Sequence, residues 1–404
     1  MLAAKPDPAQ QNYDALFAAL GGEPHVALAV SGGSDSMALL RLAERWSRGN
    51  VKLTALTVDH GLRREAAAEA AQVAAWCRAL SIDHHTLKWV DEKPVTGVQA
   101  KARVARYDLM TAWCLRHHVA WLLTAHTQDD QAETVRMRQA RTSTVESLAG
   151  IWQTSMWAGV GLMRPFLQLR RADLRAFLTE LEQPWIDDPS NDDETFERVR
   201  VRKAMGGDSI GELAQIATDA GKLARALAQS AKAWLAANLT IYPEGYGAVP
   251  RHGFCELPAD LKARVLQQVI QVFGAGSRVE PREIDHILGW IMAGGVSRRT
   301  LGGAVVASRT DTLLFGREAG RISNVPLAVP DSGEIVWDGR FLVRAPPHSL
   351  IVPALKTKEF GRKKGVPSFV QASLPMILLD GGSVSMPPVD REQGTHAKFM
   401  RCLR

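Results

Sequence analysis

The sequence contains few cysteines and no long apolar run, and both shortages exclude whole classes of protein. Its four cysteines, Cys77, Cys114, Cys255 and Cys402, are far apart among 404 residues and form no C-x-x-C pair. This spacing argues against a disulfide framework, a structural zinc site and an iron–sulfur cluster carried by the chain. No apolar run approaches the ~20 residues of a membrane span, and no signal-peptide pattern follows Met1. We therefore expect a protein of the reducing cytoplasm with no membrane partner.

The most prominent loop of the chain has neither the Gly-Lys-Ser/Thr ending of a Walker A motif nor the pattern G-x-G-x-x-G. It lies between the apolar runs Val26–Val30 and Met37–Leu40, and its sequence is Ser31-Gly32-Gly33-Ser34-Asp35-Ser36. This order predicts that a buried strand ends, a turn of small residues follows and a helix begins.

The same loop has the chemistry of a phosphate site. Its two glycines let backbone N–H groups approach an anion, its serine hydroxyls add donors, and the helix N-terminus adds a partial positive charge. A phosphate would repel Asp35 unless a cation such as Mg²⁺ lay between them, which favours a site for a nucleotide and a metal. A strand-to-helix turn capped by Asp35 is the simpler alternative.

Polar residues also follow two later apolar strands. The run Val51–Val58 ends at Asp59 and His60, and the run Ala120–Thr124 ends just before His126. In open α/β sheets, ligands bind beyond the carboxyl ends of the strands, so we expect these side chains to face the same crevice as the loop. Asp59 and His60 are candidates for an adenosine pocket, and a turn capped by Asp59 is the alternative.

Two carboxylates follow His126 on a helix that we expect to begin near Gln128. Asp130 and Glu133 are three residues apart and so share one helix face, where they can hold Mg²⁺ against ATP phosphates. Acidic residues placed at a helix N-terminus for its dipole would explain Asp129 and Asp130. That alternative does not explain His126 or Glu133.

The order strand, loop, helix repeats through residues 1–205 and predicts an α/β domain with a parallel sheet covered on both faces. Its further predicted elements are a strand at His84–Val90 and helices at Glu65–Leu80, Val98–His117 and Arg171–Leu181. Residues 206–322 predict a mainly helical middle domain that begins with a helix at Ser209–Leu239, and residues 323–404 a small α+β domain. The net charge of +6 suits an anionic partner such as RNA.

The strand followed by Ser-Gly-Gly-x-Asp-Ser resembles the signature of the N-type ATP pyrophosphatases, the PP-loop superfamily with an adenine-nucleotide alpha-hydrolase-like (Rossmann-like) fold. Within it, the chain resembles the bacterial tRNA(Ile)-lysidine synthases over most of residues 1–205. The matching blocks are Ser31–Ser36, Val58–Arg63, Ala102-Arg103 with Arg106-Tyr107, Ala125-His126, Asp129–Gln131 with Glu133-Thr134, Arg164-Pro165, and Asp188 with Ser190-Asn191. The resemblance implies that ATP adenylylates the wobble cytidine of the CAU-anticodon tRNA(Ile), and that the amine of L-lysine then displaces AMP.

The resemblance also implies roles for single residues. The loop with Asp59 and His60 would bind ATP, and Arg106 and His126 would offset charge that grows on the phosphate and the leaving group. Asp35, Asp130 and Glu133 would be catalytic and would hold Mg²⁺. The candidates for contacts with lysine or tRNA are Arg141, Asp188, Asn191, Arg198 and Arg202. The middle and C-terminal domains would hold tRNA, and a homodimer is a further expectation.

Two departures from the family's pattern keep alternatives open. The family's Arg-Gly-Ser-Gly loop reads Arg141-Thr142-Ser143-Thr144 here, and its Arg-Asn pair reads Arg198-Val199. The altered loop predicts either a helix extended past Arg141 or a turn with a different backbone path. An RNA-binding relative without lysine transfer is one alternative function. A thiolating tRNA enzyme is another, and the lack of paired cysteines counts against it.

Overall fold

A computed structural model describes most of the chain in two compact units, Met1–Ala224 and Arg225–Arg404. The described residues are 17–20, 22–47, 50–61, 65–90, 96–141, 144–187, 193–276, 279–354, 365–379, 383–387 and 394–400. Within these ranges, no helix has both the length and the apolar character that a bilayer span requires.

A six-stranded sheet forms the centre of the first unit, in the order β3-β2-β1-β4-β6-β5. Its strands are β1 (His25–Ala29), β2 (Lys52–Asp59), β3 (Asp83–Lys88), β4 (Trp121–Leu123), β5 (Thr154–Trp157) and β6 (Val160–Met163). Every pairing is parallel except the one between β5 and β6. The predicted parallel sheet is confirmed, and the β5–β6 hairpin is an addition that the sequence analysis missed.

The connections run from β1 outward to β3 and then return to β4 on the other side of β1. This reversal creates a switch point between β1 and β4, where the chains that leave the two strands diverge and open a crevice. The loop Ser31–Ser36 follows β1, and His126 follows β4. The crevice therefore lies between the Ser31–Ser36 loop and the loop that contains His126.

Helices cover both faces of this sheet. They are α1 (Ser34–Ser47), α2 (Ala66–Ala79), α3 (Val98–Arg116), α4 (Gln128–Gln139), α5 (Val145–Leu148), α6 (Arg171–Glu180), α7 (Glu197–Ala204) and α8 (Gly207–Asn238). The predicted helices are confirmed, and α8 continues through Gly221 without a break. Of the two alternatives predicted for the altered loop, the helix extended past Arg141 is wrong, because α4 ends at Gln139 and α5 begins anew after Thr144.

The alternation of β1 shows how the sheet is buried on both faces. Val26 and Leu28 pack into a core with Met37 and Phe166, whereas Ala27, which points the other way, packs into a second core around Trp113. Successive side chains of a strand point to opposite faces, so a continuous apolar run is needed where both faces are covered. β1 has such a run, which is why a short strand can lie at the centre of the unit.

The second unit contains a five-stranded antiparallel sheet in the order β7-β8-β11-β10-β9. Its strands are β7 (Thr240–Tyr242), β8 (Tyr246–Pro250), β9 (Arg298–Leu301), β10 (Ala304–Ser308) and β11 (Thr312–Arg317). Its helices are α9 (Arg251–Cys255), α10 (Ala259–Phe273) and α11 (Pro281–Met292). The sequence analysis describes residues 206–322 as mainly helical, so this five-stranded sheet adds a β part to the helices of that region.

Short strands make two further sheets toward the end of the second unit, in the orders β12-β15-β16-β17 and β13-β14-β18. They are β12 (Leu327–Ala328), β13 (Glu334–Trp337), β14 (Phe341–Arg344), β15 (Leu350–Pro353), β16 (Pro375–Leu378), β17 (Val384–Ser385) and β18 (His396–Phe399), with the single-turn helix α12 (Ser368–Gln371). The predicted small α+β region is therefore confirmed as a fold class.

Candidate active site

The Ser31–Ser36 loop is folded around the hydroxyl group of Ser36. This Oγ accepts hydrogen bonds from the backbone N–H of Ser31 (3.2 Å) and of Gly32 (3.1 Å), and it donates to the carbonyl oxygen of Gly33 (2.9 Å). Gly32 has φ +92°, and a Cβ there would lie 2.7 Å from Cδ1 of Ile186. Only glycine therefore fits this turn, and the loop is already shaped before any ligand binds.

Asp35, in the first turn of α1, is paired with an arginine that lies 136 residues later in the chain. Nε of Arg171 donates to Oδ2 of Asp35 at 2.9 Å, and Nη2 of the same guanidinium donates to Oδ1 of Asp130 at 3.1 Å. Nη1 lies 3.6 Å from Oε1 of Glu133. One arginine thus joins the three carboxylates that the sequence analysis predicts to act together.

Two arginines of α7 complete this cluster. Arg198 donates from Nη2 to Asp130 (2.8 Å) and from Nε to Oε2 of Glu133 (2.5 Å), and Arg202 donates from Nε to Oε1 of Glu133 (2.7 Å). The Glu133 side chain is only 1% exposed. The three carboxylates and three guanidinium groups balance in formal charge, as a buried carboxylate requires. We call these six residues the carboxylate–arginine cluster.

Burial and pairing shift the acidic groups of this cluster in opposite directions. Burial raises the pKa of Asp35 above its ordinary value, although Arg171 opposes the shift. Burial also acts to raise the pKa of Asp130, but the charges of Arg198 and Arg171 outweigh it and lower that pKa overall. Asp35 is therefore the better proton acceptor of these two carboxylates.

His126 lies at the end of β4, where its Nδ1 is 3.0 Å from the hydroxyl of Thr124. Burial lowers the pKa of His126 to about 3, and the charges of Arg103, Arg164 and Arg198 act in the same direction against Asp130. The imidazole is consequently neutral near pH 7. It can stabilise a developing charge through a hydrogen bond but not through a positive charge of its own.

Asp59, His60 and Arg106 lie at the carboxyl end of the neighbouring strand β2. Oδ1 of Asp59 accepts from the N–H of Gly61 (2.8 Å), as in the capped turn that the sequence analysis considered. Nε2 of His60 lies 3.2 Å from Nη2 of Arg106, and the His60 ring meets Trp89 edge to face. The sequence analysis assigns His60 to ATP binding and Arg106 to offsetting charge on the phosphate and the leaving group. The structure places these two side chains in contact.

Side chains of α4 hold the chain that follows α5, beyond the altered loop. The amide of Gln131 bonds both the N–H and the carbonyl of Ile151 (2.6 and 2.8 Å), and Arg138 donates to the carbonyl of Gly150 (2.8 Å). Thr144 caps α5, with its Oγ1 accepting from the N–H of Ser147. Thr144 thus has a local role that glycine could not perform.

The predicted site residues outside the carboxylate–arginine cluster are spread more widely. Arg141 pairs with Glu197 of α7 at 2.5 Å, where both side chains are exposed. Asp188 and Asn191 lie outside the described residues. Arg141 therefore joins the segment after α4 to α7, through a pair that is much more open to solvent than the cluster.

The sequence analysis missed Arg171 and Arg175 as site residues. Arg175 donates from Nε to Oγ of Ser34 (3.2 Å), so it contacts the loop directly. Arg170 and Arg171 stand where α6 begins, and cations are unfavourable at a helix N-terminus. Two arginines at the start of a predicted helix therefore indicate that acidic side chains lie nearby, and the sequence alone contains this indication.

Arginine side chains and a backbone N–H group occupy most of the oxygens of the three predicted magnesium ligands. Both oxygens of Glu133 accept from arginines, and Oδ1 of Asp130 accepts from two. Oδ2 of Asp130 accepts from the N–H of Thr127 at 2.7 Å as part of the capping box of α4. Across the part of the chain that the structure describes, no group of three His, Cys, Asp or Glu side chains is arranged to hold a metal ion. The cluster in this form binds cationic side chains.

Similar proteins were found by comparison with family models, with known sequences and with solved structures. Residues 6–207 match the family model of the PP-loop domain. The tRNA(Ile)-lysidine synthase of Ruegeria pomeroyi is 37% identical over 350 residues, covering 84% of this chain and 81% of that protein. The tRNA(Ile)-lysidine synthase of Rhizobium meliloti is 33% identical over 393 residues, covering 93% of this chain and 84% of that protein. Among solved structures, the U34-tRNA thiolase NcsA from Methanococcus maripaludis aligns with 53% of this chain and 78% of its own, with a TM-score of 0.47 and 17% identity.

Proposed function

This chain belongs to the tRNA(Ile)-lysidine synthases, and from that membership we propose that it uses ATP to attach L-lysine to the wobble cytidine of the CAU-anticodon tRNA(Ile). In the first step, the cytidine is adenylylated and pyrophosphate leaves. In the second, an amine of lysine forms the new C–N bond and AMP leaves. The observation that carries the proposal is the carboxylate–arginine cluster beside a preformed loop at the switch point of the sheet.

For the first step, we assign the pyrophosphate end of ATP to the Ser31–Ser36 loop. Arg175 contacts the hydroxyl of Ser34, and Arg171 contacts Asp35, so two cations lie against the loop. Fixed cations stabilise the negative charge that accumulates on a departing pyrophosphate. In this proposal, Arg171 exchanges a carboxylate oxygen for a phosphate oxygen when ATP binds, and Ser36 keeps the loop in shape.

For the second step, we assign the lysine amine to the acidic side chains of the cluster. Asp130 and Glu133 bind arginine guanidinium groups here, so in this proposal the lysine ammonium group displaces one of those arginines when it binds. The amine attacks only after it loses a proton. Asp35, whose pKa burial raises, is our candidate for the group that accepts it.

The altered loop supports lysine transfer rather than its loss. Thr144 caps α5 in place of a glycine, and Gln131 holds the chain after α5 through two backbone bonds of Ile151. The described residues from Thr144 to Ile151 thus keep a set of specific contacts, which is not what decay of an unused site would produce. Magnesium at Asp35, Asp130 and Glu133, a homodimer, and the division of the later chain into 206–322 and 323–404 stay predictions from the sequence.

Lysine incorporation into a defined RNA tests the proposal. The purified protein is incubated with ATP, radiolabelled lysine and a tRNA(Ile) transcript with a CAU anticodon, and the RNA is then treated with base to strip aminoacyl esters. We expect base-stable label that requires ATP and is absent from a transcript whose wobble cytidine is replaced by uridine. Tight binding of the transcript without base-stable label would instead support the RNA-binding relative without lysine transfer.

A further inference from the structure

One side of the crevice carries three arginines whose charges are not balanced by carboxylates. They are Arg103 and Arg106 on α3 and Arg164 directly after β6. None of the three forms an ion pair within the part of the chain that the structure describes, whereas the carboxylate–arginine cluster is balanced. Burial lowers the pKa of Arg106 and of Arg164, and the charge of Arg103 lowers both further. Like charges held together without a counter-ion favour an anionic ligand.

Arg103 lies near the carboxyl ends of three strands. Arg106, three residues later on α3, contacts His60 just after β2, with 3.2 Å between Nη2 and Nε2. The charge of Arg103 also reaches His126, which follows β4, and Arg164, which follows β6. Ligands of open α/β sheets bind beyond these strand ends. The exposed guanidinium group of Arg103 is therefore placed for a ligand in the crevice.

The aromatic ring of Tyr107 supports the guanidinium group of Arg103. Tyr107 follows Arg103 by four residues, so both side chains lie on one face of α3, and Cζ of Arg103 is 5.3 Å from the centre of the ring. Tyr107 is only 4% exposed, and its ring stacks on Trp157 with 5.0 Å between the ring centres. A cation held over a fixed ring loses less freedom on binding an anion than an unsupported arginine does.

Arg164 lies behind this support and has little surface for a ligand. The residue is 7% exposed, and its Nε has almost no accessible surface. Nη1 donates to the carbonyl oxygen of Trp152 (2.8 Å) and to Oγ of Ser155 on β5 (3.0 Å). A hydrogen bond with the Tyr107 side chain favours the charged form of Arg164. Arg164 thus ties Tyr107 to the β5–β6 hairpin and contacts the support rather than a ligand.

We propose that Arg103 is a further catalytic residue of the first chemical step, that its guanidinium group contacts the α-phosphate of ATP, and that Tyr107 and Arg164 are positioning residues that hold it. As the cytidine bonds to the α-phosphorus, the bond to pyrophosphate breaks, and the electron pair of that bond leaves with pyrophosphate. A fixed cation stabilises the negative charge of this transition state. The Ser31–Ser36 loop keeps the pyrophosphate end. The identity of the step rests on the proposed function.

The variant Arg103→Gln of the full-length protein tests the contact. Arg116→Gln, which removes an exposed charge from the last turn of the same helix, is the matched control. We expect Arg103→Gln to lower kcat for tRNA-dependent pyrophosphate release about a hundredfold, with the KM for ATP and the affinity for tRNA changed less than about threefold, because the contact acts mainly in the transition state. Arg116→Gln should match the wild type. A wild-type kcat in Arg103→Gln, or a change confined to KM, would overturn the proposal.

A double-variant cycle tests whether Tyr107 acts through Arg103. Tyr107→Leu removes the ring, whereas Tyr107→Phe keeps the ring and loses only the hydroxyl group. We expect kcat to fall roughly tenfold in Tyr107→Leu and about threefold in Tyr107→Phe, as loss of a supported cation and loss of its tether predict. Tyr107→Leu should cost nothing further once Arg103→Gln is present. Thermal melts follow the folding of each variant. The same loss in both backgrounds would show that Tyr107 is structural only and would overturn its role.

Measuring both chemical steps on the same variants separates this proposal from the proposed function. If the wild type releases pyrophosphate with tRNA and Arg103→Gln does not, but neither attaches lysine, the role of Arg103 stands and the proposed function fails. If the wild type attaches lysine and Arg103→Gln releases pyrophosphate at the wild-type rate, the proposed function stands and Arg103 has no part in the step.

Discussion

Arg171 and Asp35 form a 2.9 Å ion pair between two helices that both begin at the crevice of the first unit. Asp35 lies in the first turn of α1, directly after the loop, and Arg171 is the first residue of α6. The pair explains why a carboxylate can be tolerated inside a site for anions. An arginine occupies the position at which the sequence suggests a metal ion, so the cation that balances Asp35 in this structure belongs to the chain.

Removal of Asp35 should abolish lysine transfer, because Asp35 is the proposed acceptor of the proton that the lysine amine loses. We expect Asp35→Ala to lower lysine incorporation by at least about a hundredfold, the loss typical of a missing general base. Arg171 keeps Asp130 as a partner, so the fold should survive, as circular dichroism and thermal melts can confirm. Asp173→Asn, an exposed carboxylate on α6, is the matched control. Wild-type lysine incorporation in Asp35→Ala would remove Asp35 from the mechanism.

The buried ion pairs of Glu133 should matter far more to stability than the exposed pair nearby. Glu133→Gln removes a charge that is 1% exposed, takes away the carboxylate that pairs with Arg202 and leaves Arg198 with Asp130 alone. Those two guanidinium groups keep some contact with water, so we expect a loss of about 2–3 kcal/mol in the free energy of unfolding. Glu197→Gln breaks the exposed pair with Arg141 and should cost about 0–1 kcal/mol. Urea titrations compare the two, and equal losses would contradict the buried role of Glu133.

The stability of the first unit should fall in weak acid, and His126 should contribute to this fall together with His25 and His84, whose pKa values are also lowered by burial. The pKa of His126 in the folded protein is about 3, below the ordinary 6.5, so the unfolded chain binds the proton first as the pH falls. The stability contribution is therefore complete above about pH 6.5 and is lost progressively toward pH 3, with a slope of up to about 1.4 kcal/mol per pH unit. His126→Gln should flatten the slope in urea titrations between about pH 7 and 5.

The pKa shifts of Asp130 and Asp35 do not produce the same dependence of stability on pH in this range. The lowered pKa of Asp130 acts below its ordinary 3.8. The raised pKa of Asp35 makes stability fall as the pH rises, which is opposite in sign to the effect of His126. This contribution is present in both the wild type and His126→Gln. His118→Asn, an exposed histidine at φ +55°, serves as the control. A slope that is the same in wild type and His126→Gln would show that His126 is not held neutral.

Gly150 should be far less tolerant of a side chain than another glycine with a similar backbone. Gly150 has φ +64°, and a Cβ there would collide with Oε1 of Gln131, which is held in place by Ile151. Gly159 has φ +89° and nothing within 4 Å. Both alanine variants carry the strain of a positive φ, but only Gly150→Ala adds the collision. We expect it to cost about 1–2 kcal/mol more than Gly159→Ala and to lower lysine incorporation. Equal stabilities in thermal melts would mean that the Gln131 side chain moves away from the added Cβ at little cost in free energy.

The fold of the first unit follows largely from the sequence, because its signals are local. Val26–Val30 is apolar without interruption, as a strand buried on both faces must be, and the glycines after it allow the turn into α1. The same reasoning placed α4 and put Asp130 and Glu133 on one face, where Arg198 now contacts both. The β5–β6 hairpin was missed because strands of four residues are too short for a clear alternation.

The partners of the acidic residues were decided only by the tertiary structure. The sequence alone determined that Asp35, Asp130 and Glu133 had to face a cation, since a buried carboxylate without one is too costly. It could not determine that Arg171, Arg198 and Arg202 supply that cation, because those residues lie 38 to 136 positions away and no local pattern relates them. The raised pKa of Asp35 and the neutral state of His126 have the same origin, since desolvation depends on what the rest of the chain packs around a side chain.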